Sequence, residues 1–235
     1  MFQLVSDMLL RKVLGVPGST PSEAFYLELG ILPVGTIIIA RQLNYRHTIL
    51  TGHKNGMLYA FFITQWHNPT RGDWTEQVKV DLEDFDIPCS FEYIEKKSKD
   101  AFKRIVKMKA KEHAMKRLIS KQETHSKMEN LKYTELKIQN YFKDENLKPK
   151  EMKTIFRYRT RMEMFGENFR GGEDQVVCPL CKLHLDNQEL SLQCPVIRKE
   201  IEVKGKLADI YKENISYDII NTVSKISEYR KENSE

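Results

Sequence analysis

Between Lys96 and Lys127 the chain places an apolar residue at every fourth position, Phe102, Val106, Ala110, Ala114 and Leu118, and crowds Lys and Arg between them. A four-residue step follows one face of a helix, whereas a half-buried strand alternates every second residue. The basic residues are Lys96, Lys97, Lys99, Lys103, Arg104, Lys107, Lys109, Lys111, Lys116, Arg117, Lys121 and Lys127, opposed only by Asp100, Glu112 and Glu123. The stretch predicts one long helix with a narrow packing stripe and a broad basic face. Such a face can neutralise phosphates, because each Lys or Arg near a phosphate displaces a condensed counterion. The bland alternative is a solvated helix surface. Candidate nucleic-acid contacts are Lys103, Arg104, Lys107, Lys111 and Arg117.

Helical periodicity governs most of the remaining chain. Phe2 to Leu14 puts Leu4, Met8, Leu9 and Val13 on one side and stops at Gly15-Val16-Pro17-Gly18. A second helix starts around Pro21-Ser22-Glu23 and ends at Gly30; Pro33 opens a third that runs to Gly52. Its β-branched run Thr36-Ile37-Ile38-Ile39 is also compatible with a strand. Asn55 to Trp66 is apolar and aromatic and predicts a buried helix; Asn68 to Asp73 is a turn; Trp74 to Phe85 is helical. Beyond the basic stretch, helices are predicted for Tyr133 to Phe142, from Pro149 through Met162, and at Leu207–Tyr211 and Tyr217–Tyr229, with a loop at 166–172 and a frayed tail from Arg230. The expected architecture is mainly α. It is a bundle-like array of short helices (1–90), a basic helical part (91–170), and a cysteine-rich, zinc-finger-like segment with terminal helices (171–235).

Cys178-Pro179-Leu180-Cys181 is the strongest local motif. A C-x-x-C turn points two thiolates at one ion, and Zn²⁺ takes four N or S ligands in a tetrahedron. Cys194 lies thirteen residues on, and His184 offers a fourth ligand. The candidate metal set is therefore Cys178, Cys181, His184 and Cys194, with zinc as the expected cofactor; the alternative is three cysteines in a small metal-free core. No βαβ pattern surrounds the motif to suggest a thioredoxin-like role.

In Phe156-Arg157-Tyr158-Arg159-Thr160-Arg161, Arg157 and Arg161 lie one helical turn apart and could grip phosphates, with Tyr158 available to stack on a base. Equally, the arginines could cover the core with their stems. The paired aspartates of a polymerase palm are absent, as are a phosphate-binding P-loop, a nucleophile elbow and an H-E-x-x-H zinc motif. Glu202-Val203-Lys204 matches half of a nuclease-type E-x-K site, a triplet expected by chance in a chain this rich in Glu and Lys.

Four cysteines, three of them within seventeen residues, favour a metal over a disulfide framework. Asp7, Arg11 and Lys12 interrupt the N-terminal apolar run, so it does not read as a signal peptide. Ile31 to Ala40 is too short to span a bilayer. These features imply a reducing compartment, cytoplasm or nucleus, and no membrane or small-molecule partner. The net charge of +5 is compatible with RNA or DNA as partner.

The order of several stretches resembles the region downstream of the palm in reverse transcriptases of non-LTR (LINE-type) retrotransposons. They are Leu9 to Gly15, Pro21 to Gly30 with Leu32-Pro33, Arg41 to Tyr45, Asn68-Pro69 with Gly72-Asp73-Trp74, Phe156 to Met162, and Cys178-Pro179-Leu180-Cys181 with Cys194-Pro195. The resemblance implies that fingers and palm lie upstream of Met1. It implies a helical extension ending in a cysteine-rich finger that holds template RNA or target DNA. By itself the chain is then a non-enzyme, a nucleic-acid-binding fragment. The alternatives are a protein-interaction module of a decayed transposon copy and, further off, a metal-dependent nuclease. One departure stands out: the family often has a His shortly before the last Cys, and Glu189-Leu190-Ser191-Leu192 has none. His184 must then serve instead, or metal binding is degraded.

Overall fold

The computed structural model describes residues 2–168 and 176–233. Its regular backbone is helical: α1 (Phe2–Leu14), α2 (Ser22–Leu29), α3 (Val34–Thr51), α4 (Met57–His67), α5 (Trp74–Asp84), α6 (Phe91–Glu95), α7 (Lys99–Gln122), α8 (Pro149–Arg159), α9 (Gln188–Ser191), α10 (Pro195–Glu200) and α11 (Tyr217–Asn233). Among the described residues no strand forms, only isolated bridges pairing Leu29 with Ile138 and Val177 with Leu185. The Thr36–Ile39 run is helical, inside α3. No single helix among the described residues is long and apolar enough to cross a membrane. Most of the predicted 166–172 loop lies outside the described residues; Gly166–Asn168 is a 3-10 turn. α11 continues through Arg230 to Asn233, and the rest of the tail expected to fray, Ser234 and Glu235, lies outside the described residues.

The chain divides into two compact units, one built on Leu32–Leu118 and the other on Leu4–Ile31 and the residues from Ile119 onward. In the first, α3 to α7 enclose Leu43, Leu50, Phe62, Leu82, Phe102 and Val106, all buried. Phe62 lies against Trp66 and Trp74, with ring centroids 5.6 and 5.7 Å away. Arg46, fully buried, stacks its guanidinium 4.4 Å from the Trp66 ring centre and donates to the Cys89 carbonyl at 2.8 Å. Burial pushes its pKa down to about 10. The turn before α5 is closed by Asp73, which accepts from the backbone N–H of Glu76 at 2.7 Å and of Thr70 at 2.8 Å. The carboxylate thereby satisfies the first-turn amide of Glu76, which has no intrahelical partner, and holds the preceding turn through Thr70.

The predicted burial of Asn55–Trp66 holds on one side only. Phe62 is enclosed, while Met57, Leu58 and Phe61 on α4 are exposed. An apolar circumference does not guarantee burial when neighbours cover a single face.

In the second unit, α8 is the central element. Pro149 starts it, and Glu151 accepts from the Lys148 N–H at 2.7 Å. Ile155, Phe156 and Tyr158 are fully buried, and Phe25 of α2 stacks on Phe156 at 6.0 Å. Ile219, Val223 and Ile226 supply the inward face of α11.

One expectation fails in this unit. The helix predicted at Tyr133–Phe142 is absent, and only Asn140–Phe142 makes a 3-10 turn. The backbone instead lies extended against the end of α2, where Gln139 N–H donates to Glu28 O at 2.9 Å. Bonds to one buried residue, from the Gln139 N–H to the Glu28 backbone carbonyl and from the Tyr133 and Tyr141 hydroxyls to the Glu28 carboxylate, outweigh the local helical pattern. Gly30 makes the approach possible. It takes a left-handed φ of 62°, and a Cβ there would sit 2.1 Å from Ile138 N.

α1 forms over the predicted residues, and its apolar side, Leu4, Met8, Leu9 and Val13, is exposed. The helix docks by its polar side. Asp7 is buried and accepts from Ser22 Oγ at 2.8 Å and from Tyr26 Oη, while Arg11 Nη2 donates to Thr20 O at 3.0 Å.

Candidate metal centre and nucleic-acid interface

Cys178 and Cys181 sit in a tight hairpin. The Cys178 N–H donates to His184 O at 2.7 Å, the Lys182 N–H to Cys178 O at 2.9 Å, and the Asp186 N–H to Val176 O at 2.6 Å. Lys182 adopts a left-handed φ of 55°. A lysine gains nothing locally from that conformation, since its Cβ is crowded there. The turn it makes directs the backbone N–H groups of Leu183 and His184 at the Cys181 sulfur. Burial raises that thiol and these two donors lower it, with a net shift downward.

Cys194 approaches from the start of α10. Burial pushes its thiol up to about 11, against the N–H groups of Ile197 and Val196, which favour the thiolate. The three sulfurs lie within 4.8 Å of one another, and Cys178 Sγ is 4.0 Å from Cys194 Sγ. Two thiolates on tetrahedral Zn²⁺, each about 2.3 Å from the ion, stand about 3.8 Å apart. The donor chemistry and the sulfur spacing therefore fit a thiophilic ion. Amides that donate to two of the sulfurs fit it too, because they stabilise thiolates rather than thiols.

The cluster falls short of the expected ligand set in one respect. Among the described residues Cys178, Cys181 and Cys194 form the group spaced to share an ion, and the His184 ring is not part of it. His184 contributes its backbone instead, its carbonyl to Cys178 and its N–H to Cys181. Cys89, exposed in the other unit, takes no part.

Two residues that the sequence pattern did not single out complete the surroundings. Arg230, in the last turn of α11 and 7% exposed, places Nη1 3.8 Å from Cys178 Sγ. Its Nη2 is 2.7 Å from Asp186 Oδ1, and the guanidinium lies 4.6 Å from the Phe165 ring centre. A cation from a helix distant in sequence and an acid inside the finger leave no spacing signature.

The basic surface of α7 is fully formed. Lys103, Arg104, Lys107, Lys111 and Arg117 are exposed, and none has an ion-pair partner among the described residues. Lys103, Lys107 and Lys111 make an i, i+4, i+8 row beside the buried row Phe102, Val106 and Ala110, with successive cations about 6 Å apart along the helix axis. Lys109 differs: its Nζ lies 2.8 Å from Asp86 and 3.4 Å from Glu112.

The residues at the end of α8 and just beyond it do not present the expected surface: α8 stops at Arg159 and Arg161 takes a left-handed φ of 52°, so Arg157 and Arg161 are not one helical turn apart. Tyr158 is fully buried and cannot stack on a base. Its position faces the core because the helix packs through Ile155, Phe156 and Tyr158 together. Arg157 is paired with Glu163, Nε to Oε2 at 3.2 Å. Arg161 faces three carboxylates, Glu129 at 3.1 Å, Glu167 at 3.8 Å and Glu189 at 3.9 Å. Both arginines hold the fold of their own unit. Glu202 and Lys204 are paired with each other at 3.2 Å and both are largely exposed.

The chain matches no protein-family model, no curated protein and no solved structure.

Proposed function

We propose that this chain is a non-catalytic nucleic-acid-binding module that grips phosphates through α7 and is stabilised by a zinc ion on Cys178, Cys181 and Cys194. One observation carries the reading: the exposed cations Lys103, Arg104, Lys107, Lys111 and Arg117 have no carboxylate partners among the described residues. Arg157 and Arg161, by contrast, are paired with carboxylates of their own unit. A row left without them is available to an external polyanion, whose counterions it displaces. Charges on flexible stems suit phosphate better than base edges, so weak sequence preference is expected. The motif order set out above supports an origin in the post-palm region of a non-LTR reverse transcriptase, whose template RNA or target DNA would be the ligand.

If a zinc ion is bound, Cys178, Cys181 and Cys194 hold it. The ion supplies a structural cross-link, with a fourth position left for His184 after a side-chain rearrangement or for solvent. The test is fluorescence anisotropy of the full chain with labelled RNA, single-stranded DNA and duplex DNA at low salt. Saturable binding to at least one of them is expected.

The exposed apolar residues of α1 favour a second reading, a protein-interaction module. Leu4, Met8, Leu9 and Val13 form a contiguous apolar face of the kind that marks interaction sites. Absence of nucleic-acid binding at low salt, together with concentration-dependent association lost on Leu9→Gln, would favour it.

A further inference from the structure

The metal centre has a partner outside the finger. Arg230 is nearly enclosed, yet it lies on α11, 52 residues from Cys178 in sequence. A buried guanidinium is costly unless its donors are used. Here they are used in a directed way. Nη2 is anchored by Asp186 Oδ1 at 2.7 Å and approaches Met164 O at 3.3 Å, which leaves Nη1 aimed at Cys178 Sγ, 3.8 Å away.

Asp186 is fixed in its turn. Its Oδ2 accepts from the Gly166 N–H at 2.7 Å, and its own N–H closes the cysteine hairpin on Val176. The arrangement is a carboxylate–guanidinium–sulfur relay. It parallels the carboxylate–histidine–zinc relay, in which an outer group orients a ligand and tunes its basicity.

The charges make the relay functional. Asp186 and Arg230 cancel each other. Three thiolates around a divalent ion leave one net negative charge in a site where Cys178 and Cys194 are 3% and 1% exposed. A guanidinium N–H on Cys178 is the nearest cationic donor recorded for these sulfurs among the described residues. Neutral thiols would gain much less from it, so the contact favours the metal-loaded state.

We propose that Arg230 is a positioning residue of the three-cysteine centre, donating to the Cys178 thiolate and thereby locking the last turn of α11 onto the loaded finger. The proposal rests on the zinc reading above. It adds that metal binding and docking of the α11 end are coupled, so each strengthens the other.

The experiment is a Co²⁺ titration of the full chain with chelator competition, read by thiolate-to-cobalt charge-transfer absorption, for wild type, Arg230→Gln and Arg230→Lys. Outer-shell losses typically weaken metal binding about 10- to 100-fold. Arg230→Gln should fall in that range with an altered charge-transfer band, and Arg230→Lys should recover part of the loss. Amide hydrogen exchange of wild type, with and without Zn²⁺, gives a second reading that no variant can confound. The amides of Ile226 to Arg230 should lose protection when the ion is removed. Wild-type affinity in Arg230→Gln, or unchanged protection of those amides without metal, overturns the coupling while leaving the metal site intact. Absence of any charge-transfer band in wild type would instead remove the zinc reading itself.

Discussion

Arg159 and Glu28, 131 residues apart in sequence, meet at 2.8 Å with both side chains excluded from solvent. Tyr133 and Tyr141 donate to the two oxygens of the same carboxylate. Arg159 Nη1 donates to Ile210 O at 2.6 Å and to Lys212 O at 3.2 Å. One ion pair thus ties α2, α8, the 133–141 segment and the 207–212 turn together. Burial lifts both tyrosine hydroxyls well above their usual range, and the neighbouring carboxylate adds to the effect.

Truncating one partner strands the other. Arg159→Met should destabilise the protein by about 3–5 kcal/mol, the usual cost of leaving a buried charge unpaired. The Arg159→Met, Glu28→Gln double variant should recover part of that loss, because no lone charge remains. Urea unfolding followed by circular dichroism measures both. A single variant within about 0.5 kcal/mol of wild type would show that the pair does not carry the second unit.

The helical architecture was readable from periodicity. Nearly every predicted helix forms within a few residues, because Gly15, Gly30, Gly52, Pro33 and Pro149 mark helix boundaries and a 3.6-residue pattern fills the space between. What periodicity could not show was which side of a helix finds company. α1 turns inward through Asp7 and Arg11, and its apolar face is left open. The Tyr133–Phe142 pattern looked helical, yet its tyrosines are spent on Glu28, a partner more than a hundred residues away. At the candidate metal site, ligand type and spacing pointed to the three cysteines that the fold brings together. The geometry withdraws the His184 ring from their cluster and adds Lys182, Asp186 and Arg230, whose roles depend on backbone conformation and long-range packing.

Zinc content should be about one ion per chain after mild dialysis, measured by elemental analysis. Cys178→Ser, Cys181→Ser or Cys194→Ser should each abolish it, and Cys89→Ser should not change it. Stripping the ion with a chelator should lower the melting temperature, since binding to the folded state alone is folding free energy. Retention of full zinc in Cys178→Ser would refute the assignment.

Asp73 gives the first unit an acid-sensitive cap. The N–H groups of Glu76 and Thr70, with the Thr75 hydroxyl, hold its carboxyl down at about 2. A depressed folded-state pKa contributes stability above the unfolded value, about 3.9, and that contribution is lost as pH falls toward about 2. Asp73→Asn keeps an acceptor but cannot titrate. The wild-type advantage over Asp73→Asn in urea midpoint should therefore shrink between pH 6 and pH 2. A constant difference across that window would mean that the carboxylate charge contributes nothing.

The most direct measurement of the central claim compares the salt dependence of RNA and DNA binding for wild type and the Lys103→Gln, Arg104→Gln, Lys107→Gln, Lys111→Gln quadruple variant. These exposed positions can be changed at small cost to the fold, usually within about 0.5 kcal/mol each. Each cation engaged with a duplex phosphate contributes about 0.9 to the slope of log affinity against log salt. Wild type should lose affinity by orders of magnitude between about 50 and 200 mM salt. The variant should bind more weakly at low salt, with a slope flattened by up to about 3.6. Identical slopes for the two proteins, or no binding by either at low salt, would contradict the account of α7 as a phosphate-gripping face.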